Sequence, residues 1–454
     1  MISGMPLSLR SAWARHVLFP AEGLLRGIPL TKKYKEYFRA QWWPRAQLDS
    51  YRENKLRKLI EHVYRTVPFY RQRMDEASVR PGHIRHMADL SLLPTLSRAD
   101  VIEHMPDMIS SGVSPSALRR GSSSGSTGVV VTSYHTADSL GAAFAAERVG
   151  WSMAGYPFGA RRCVVWGNQI AVNEQWSKPG SRLKQIAYGE RRIPAFGLTD
   201  IEEVNAALNM LADFKPEYLW GYPNAIYFLA LRAKEAGYSD LSCTGVLTTA
   251  ETVYDYQREV ISEVFGPVFD GYGSGEVPGV AYQCSQGAYH IIEPRVVVEI
   301  DEGSEQEPRE IILTDLDNFG MPLIRYKVGD LAVVADCDVC GCGRTWKTMK
   351  RIAGRTADLI TLPGGGALLI PSFFGSALLK RLPSVQQYQV AKVSKDKIVL
   401  RLVLAHQLDK DGYDYLSREL NSYLKGKISF SIEEVESIQL TKNGKYKLII
   451  DESS

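Results

Sequence analysis

What the chain has little of narrows the field first. It holds only six cysteines in 454 residues, and no apolar run reaches the roughly 20 residues that a membrane-crossing helix needs. Within residues 1–30 the apolar positions are broken by Arg10, Arg15, His16 and Arg26, too often for the core of a secretory signal. An ordinary helix packed on the domain is expected there, over an amphipathic contact of residues 7–25 with a membrane surface. Neither sign of charge is in excess. With 54 Lys and Arg against 51 Asp and Glu, the net charge is +3 and no long basic block occurs, which argues against nucleic acid as the main partner. Internal repeats are absent, as are low-complexity tracts beyond one short Ser/Gly run. A 45% hydrophobic content at this length supports a large core, more than one domain and folding without disulfides, and the expected location is the cytoplasm.

The patterning that is present divides the chain. From residue 53 to 73, Leu56, Leu59, Ile60, Val63, Tyr64 and Val67 recur at helical spacing until Pro68 interrupts them. Between residues 161 and 272, short β-rich runs (163–166, 218–220, 246–248 and 268–270) alternate with helix-like segments at 201–214 and 254–265. That alternation predicts an α/β domain with a largely parallel sheet. From His290 onward the runs 296–300 and 310–313, separated by an acidic turn, predict a β-hairpin or meander in a smaller β subdomain. A last block of about 85 residues, with strands expected at 397–404 and 429–435 and a helix at 413–424, is large enough for a compact α+β lobe. The expected division is 1–353 and 354–454, with a hinge between Gly354 and Asp358.

Ser123-Ser124-Gly125-Ser126-Thr127-Gly128 precedes the apolar Val129-Val130-Val131. Such a side-chain-poor turn leaves backbone N–H groups and hydroxyls free to surround a phosphate, although it lacks the Gly-Lys-Ser/Thr ending of a Walker loop. Further stations follow in order: Thr249-Ala250-Glu251, Asp270-Gly271-Tyr272-Gly273-Ser274-Gly275-Glu276, the run from Met321 through Arg325-Tyr326 to Gly329-Asp330, Arg351 with Gly354-Arg355, and Asn443-Gly444-Lys445. This order and spacing resemble the adenylate-forming enzymes, in the branch of phenylacetate-CoA ligase with its CapK-like and coenzyme F390 synthetase-like relatives. Val67-Pro68-Phe69-Tyr70-Arg71 is similar to the same branch.

The resemblance implies a role for each station. Residues 123–128 would wrap the β- and γ-phosphates of ATP, with Ser126 standing where the family usually has Thr. Thr249, Ala250, Glu251 and Asp270, Gly271, Tyr272, Gly273 and Ser274 would cradle adenine, with Tyr272 stacking on the base. Glu276 would hold Mg²⁺ on the phosphates, and Asp330 would take the ribose hydroxyls. Arg351 would reach the ribose or α-phosphate, Arg355 would support the hinge, and Asp358 would be the pivot. Lys445 matches the family's mobile lysine, a cation on the α-phosphate during adenylation.

The cysteines carry a second signal. Cys337, Cys340 and Cys342 crowd one glycine-containing loop, which in a reducing compartment favours metal over disulfide. Cys284 and His290 resemble the Cys-x5-His element that the family pairs with a later Cys-x-Cys, so the expected ligands of a closed structural zinc are Cys284, His290, Cys340 and Cys342, with Cys337 as a substitute for one of them. Cys163 and Cys243 read as core residues.

The implied reaction is attack of a carboxylate on the α-phosphate of ATP, giving acyl-AMP and pyrophosphate, followed by transfer to coenzyme A after the C-terminal lobe rotates. Tyr134, Trp166, Tyr222 and Pro223 are candidate walls of the acyl pocket, near the strands ending at Trp166 and Trp220. Transfer of the adenylate to an amine is the alternative chemistry, and a nucleotide-binding scaffold the non-enzymatic one. Relatives in the branch imply a homodimer, which the residues themselves do not decide.

Overall fold

A computed structural model describes the chain apart from residues 1–5, 123–130, 168–184, 186, 196–197, 199–200, 301–307, 335–339, 356–358, 362–366, 370–381, 383, 395, 425, 440–446 and 453–454. Strands β1 (Arg119–Ser122) and β2 (Thr132–His135) pair antiparallel and bracket the serine-rich run in the sequence. The four apolar runs expected as strands become β3 (Arg162–Val165), β5 (Tyr218–Gly221), β6 (Gly245–Thr249) and β7 (Val268–Tyr272), with β4 (Glu190–Ile193) at the edge. All five run parallel, in the order β4-β3-β5-β6-β7. Helices Ile201–Phe214, Pro223–Glu235 and Asp255–Phe265 connect them and pack their apolar faces around Leu219 and Val246, so that β3, buried along its length, is apolar from Cys163 to Val165, with Arg162 at its start paired to Glu190.

The region from β8 (Ala281–Gln283) onward does not stand apart as a separate sheet. Strands β9 (Tyr289–Ile291), β10 (Val296–Ile300), β11 (Arg309–Asp315), β12 (Tyr326–Val334) and β13 (Thr348–Arg355) extend the parallel array as antiparallel neighbours, making one mixed eleven-stranded sheet. The junction is at Tyr272, which pairs with Ala281 across β7 and β8. The expected hairpin around residue 305 is present as the β10–β11 ladder, Val298 opposite Leu313. The helix Ala137–Met153, capped by the Thr136 hydroxyl, contributes buried Ala142, Ala145 and Ala146 and lies close to β8.

Helices Leu30–Ala40 and Arg45–Thr66 are fastened to the antiparallel half by buried ions. Lys33 and Lys55 each place Nζ 2.7 Å from a carboxylate oxygen of Asp317, and Arg45 and Arg52 reach Glu293 at 2.7 and 2.8 Å. After β14 (Leu359–Thr361) and β15 (Ala367–Leu369), the C-terminal block forms a sheet of its own from β16 (Val385–Ser394), β17 (Lys397–Leu404), β18 (Ser429–Glu434) and β19 (Ile449–Asp451), ordered β18-β17-β16-β19. Helix Lys410–Tyr423 buries Leu416 and Leu420 with Val390 and Leu400 of that sheet, a core distinct from those of the eleven-stranded sheet.

Candidate functional site

At the C-terminal ends of β6 and β7, where open α/β sheets hold ligands, four stretches of chain form three walls of a cleft. Ala250, Glu251 and Thr252 form one wall, residues 270–273 the second, and Asp330, Ile352, Gly354 and Arg355 the third. The turn after β6 is strained: Ala250 has φ +70°, a left-handed conformation costing an alanine on the order of 1 kcal/mol. Gly354 has φ +128°, open to glycine but not to a side chain, and it breaks the register of β13 against β12 beside the cleft.

Side chains within these walls hold one another. The Tyr272 hydroxyl donates to Asp330 Oδ2 at 3.0 Å, and Arg355 Nε lies 3.1 Å from Asp330 Oδ1, so the buried carboxylate is fixed from both sides. Burial, then the Asp330 charge, push the Tyr272 phenol well above its ordinary range, keeping it a neutral donor. Glu251 accepts from Asn224 Nδ2 at 2.9 Å. Glu276 is 2% exposed and receives the Tyr326 hydroxyl at 3.4 Å. It sits in a turn closed by Ser274, whose backbone N–H donates to Val277 O and whose hydroxyl accepts from Val277 N.

Asp270 behaves differently from its neighbours. Its carboxylate accepts from the Thr248 hydroxyl at 2.6 Å and the Tyr289 hydroxyl at 2.7 Å, and burial raises its pKa to about 6 despite those bonds. Its side chain therefore braces β6, β7 and β9 at the edge of the cleft.

A second, smaller cavity shares Asp270 and Gly271 with the first and lies between the helix Ala137–Met153 and the sheet. Trp151, Trp220, Leu247, Phe269 and Tyr282 supply apolar walls, and Glu147 a carboxylate that burial pushes up. Gly150 is required here, because a Cβ would lie 2.1 Å from the Tyr282 ring. Neither Glu147, Trp151 nor Tyr282 stands out in the sequence. The available signal was the small residues Gly141, Ala142, Ala143, Ala145, Ala146 and Gly150 recurring along the helix, the last of which lets it approach the strand that carries Tyr282 closely.

The four residues expected at the acyl wall line neither of these two cavities. Trp166 stacks on Trp220 and tilts against Tyr222, ring centroids 5.1 and 4.2 Å apart, while Tyr222 and Pro223 are buried at the start of a helix. Tyr134, half-buried on β2, offers its carbonyl to Asn318. Arg351 is exposed on β13 and does not line the cleft, whereas Arg355 does. Residues 123–128, Cys337, Asp358 and Lys445 lie outside the described residues.

Cys284, His290, Cys340 and Cys342 converge, with one ligand atom from each within 4.8 Å of all the others. Cys284 Sγ is 3.6 Å from Cys340 Sγ, and Cys342 Sγ is 3.2 Å from His290 Nε2. Zinc–sulfur bonds of about 2.3 Å in a tetrahedron separate sulfurs by about 3.8 Å, so the donor set matches that geometry. His290 Nδ1 lies 3.2 Å from Trp346 O, a second partner that fixes the ring and turns Nε2 inward. Burial lowers the His290 pKa to about 4, leaving a neutral imidazole.

Comparison with known proteins gives this geometry its setting. Residues 366–452 match the family model described as the CapK C-terminal domain. A phenylacetate-coenzyme A ligase of Thermus thermophilus is 30% identical over 361 residues, covering 76% of this chain and 78% of the relative. Protein CapK of Staphylococcus aureus is 24% identical, covering 80% and 81%. A 2-hydroxyisobutyryl-CoA ligase solved in the postadenylation state shares the fold, with a TM-score of 0.72 at 19% identity over 91% of both chains. With its cleft built from the expected stations and this level of identity along most of its length, the chain belongs to the phenylacetate-CoA ligase family, the branch of the adenylate-forming enzymes that includes CapK.

Proposed function

We propose that this protein activates a carboxylic acid with ATP, releasing pyrophosphate, and passes the acyl group from the adenylate to coenzyme A. The observation that carries the reading is the Tyr272–Asp330–Arg355 arrangement in the cleft. It offers a carboxylate, preset by two donors, to the vicinal hydroxyls of a ribose, and the flat ring of Tyr272 to a purine. Residues 123–128 would embrace the β- and γ-phosphates. Glu276, a buried carboxylate, is the residue that would hold Mg²⁺, which neutralises phosphate charge when bound. Lys445, carried by a C-terminal unit of residues 354–454 turning about Asp358, would stabilise negative charge growing on the α-phosphate and then withdraw.

The cavity adjoining the cleft is the better site for the acid than the Trp166–Tyr222 cluster, since it shares Asp270 and Gly271 with the nucleotide walls. Its aromatic sides suit a small apolar or aryl acid. Zinc, held by Cys284, His290, Cys340 and Cys342, would be structural, because four protein donors leave no position for substrate.

Carboxylate-dependent ATP–pyrophosphate exchange over a panel of aryl, fatty, amino and sugar acids tests the reading. Exchange is expected with at least one acid, falling about 10²–10³-fold in Lys445→Ala with ATP binding retained. Unchanged exchange in that variant refutes the role of Lys445, and no exchange with any acid refutes adenylation. Consumption of coenzyme A in the presence of the active acid distinguishes thioester formation from transfer to an amine, where the adenylate is trapped by hydroxylamine alone.

A further inference from the structure

Six of the ten large hydrophobic side chains exposed among the described residues fall in one short stretch: Leu7, Leu9, Trp13, Val17, Leu24 and Leu25. Leu24 and Leu25 are 83% and 89% exposed. They belong to one unbroken helical run, Leu7–Trp13, a π-helical turn Ala14–Leu18 and Phe19–Arg26. The face turned to the protein is Arg10, Ala14, Phe19 and Gly23, spaced four, five and four residues apart. The five-residue step coincides with the π-helical turn, which absorbs the extra residue and keeps that face aligned. The body of the protein thus covers one side of the helix and leaves the apolar side bare.

The sequence of this helix and the next is rich in basic residues, and part of that charge is met by acids from other elements: Arg10 by Glu217, Lys33 by Asp138 and Asp317. Residues 1–40 contain Arg10, Arg15, Arg26, Lys32, Lys33, Lys35 and Arg39 against only Glu22 and Glu36. Glu22 is engaged by Arg26 and Tyr188, and Glu36 by Tyr51. Arg15, Lys32, Lys35 and Arg39 are exposed and have no ion pair among the described residues.

We propose that this face lies in the headgroup region of an anionic lipid bilayer, as an interfacial helix that rests on the membrane without crossing it. Leucines and a tryptophan on one side with basic residues at the margin are what such a surface binds. A two-fold contact with a second copy would bring the same basic residues against themselves, which the charge disfavours. No helix among the described residues is long and apolar enough to span a membrane, so attachment would be peripheral.

Flotation of the full-length protein with phosphatidylcholine vesicles, and with vesicles containing roughly 30% phosphatidylglycerol, tests this. Binding is expected to the anionic vesicles, weakening several-fold at high salt. The combined variant Trp13→Ser, Leu24→Ser, Leu25→Ser should lose binding about tenfold or more while keeping its unfolding midpoint, since these side chains are already in water. Arg15→Glu should weaken anionic binding alone. Failure of the unaltered protein to float with anionic vesicles at low salt would overturn the proposal. So would a concentration-dependent dimer in sedimentation that the triple variant dissolves, which would make the face a contact between copies.

Discussion

The cleft and the cysteine–histidine cluster are both polar sites on the same sheet, satisfied in opposite ways. In the cleft, acidic side chains already have protein donors, Asp330 from Tyr272 and Arg355 and Glu251 from Asn224, as does buried Glu276 a few residues beyond Gly273, from Tyr326. In the cluster, the ligand atoms chiefly meet one another, Cys284 against Cys340 and Cys342 against His290. A site whose charges are paired before the ligand arrives is preorganised, and altering it should cost binding while sparing the fold. Three thiols and an imidazole gathered with their ligand atoms facing one another draw stability from a cation, and altering the set should cost the fold itself.

The largest effect that would sharpen this contrast is at the cluster. Purified protein is expected to carry about one zinc per chain, and Cys340→Ser should abolish it and destabilise the fold by about 4–5 kcal/mol or more, read by elemental analysis and thermal unfolding. Metal-free protein of unchanged midpoint would break the comparison.

At the cleft, Asp330→Ala should weaken ATP about ten- to a hundredfold, as loss of a charged hydrogen-bonding partner does, with little change in unfolding midpoint. A large loss of stability with unaltered ATP affinity would make Asp330 a structural residue instead.

The smallest effect concerns Asp270. Its pKa is raised to about 6 from 3.8, so the folded state holds its proton more tightly than the unfolded one. That contribution is fully present below pH ~4 and is lost as the pH rises through 6, by on the order of 3 kcal/mol at most. Asp270→Asn should remove this part of the slope, visible as a stability difference from the unaltered protein that changes between pH 4 and 6 and is flat above. A difference constant across that range would contradict the assigned environment.

How much of this was legible in the sequence depended on whether the signal was local. Parallel strands such as 163–166 and 246–248 declare themselves as apolar runs, because burial on both faces leaves no polar alternation. The continuity of β8 with β7 was not readable, since Tyr272 and Ala281 are joined by a ladder that no periodicity records. Asp330 and Arg355 could be placed in the site from motif order, but the direct bond between them depends on the β12–β13 register, which shifts at residues 331–332. The second cavity was the least legible feature: Trp166 and Tyr222, aromatic residues near strand ends, pack on each other, while Glu147 and Trp151 reach that cavity from a helix that Gly150 lets approach the sheet. At the N-terminus the structure has the expected helix, but which side faces the protein depends on the π-helical turn at Ala14–Leu18, which no periodicity in the sequence records.

The most direct measurement is a crystal structure with a non-hydrolysable acyl-adenylate analogue. Adenosine should lie between residues 250–252 and 270–273, its ribose hydroxyls on Asp330, its base against Tyr272 and its acyl group toward Trp151 and Tyr282. An analogue bound outside that cleft, making no contact with Asp330, would contradict the account.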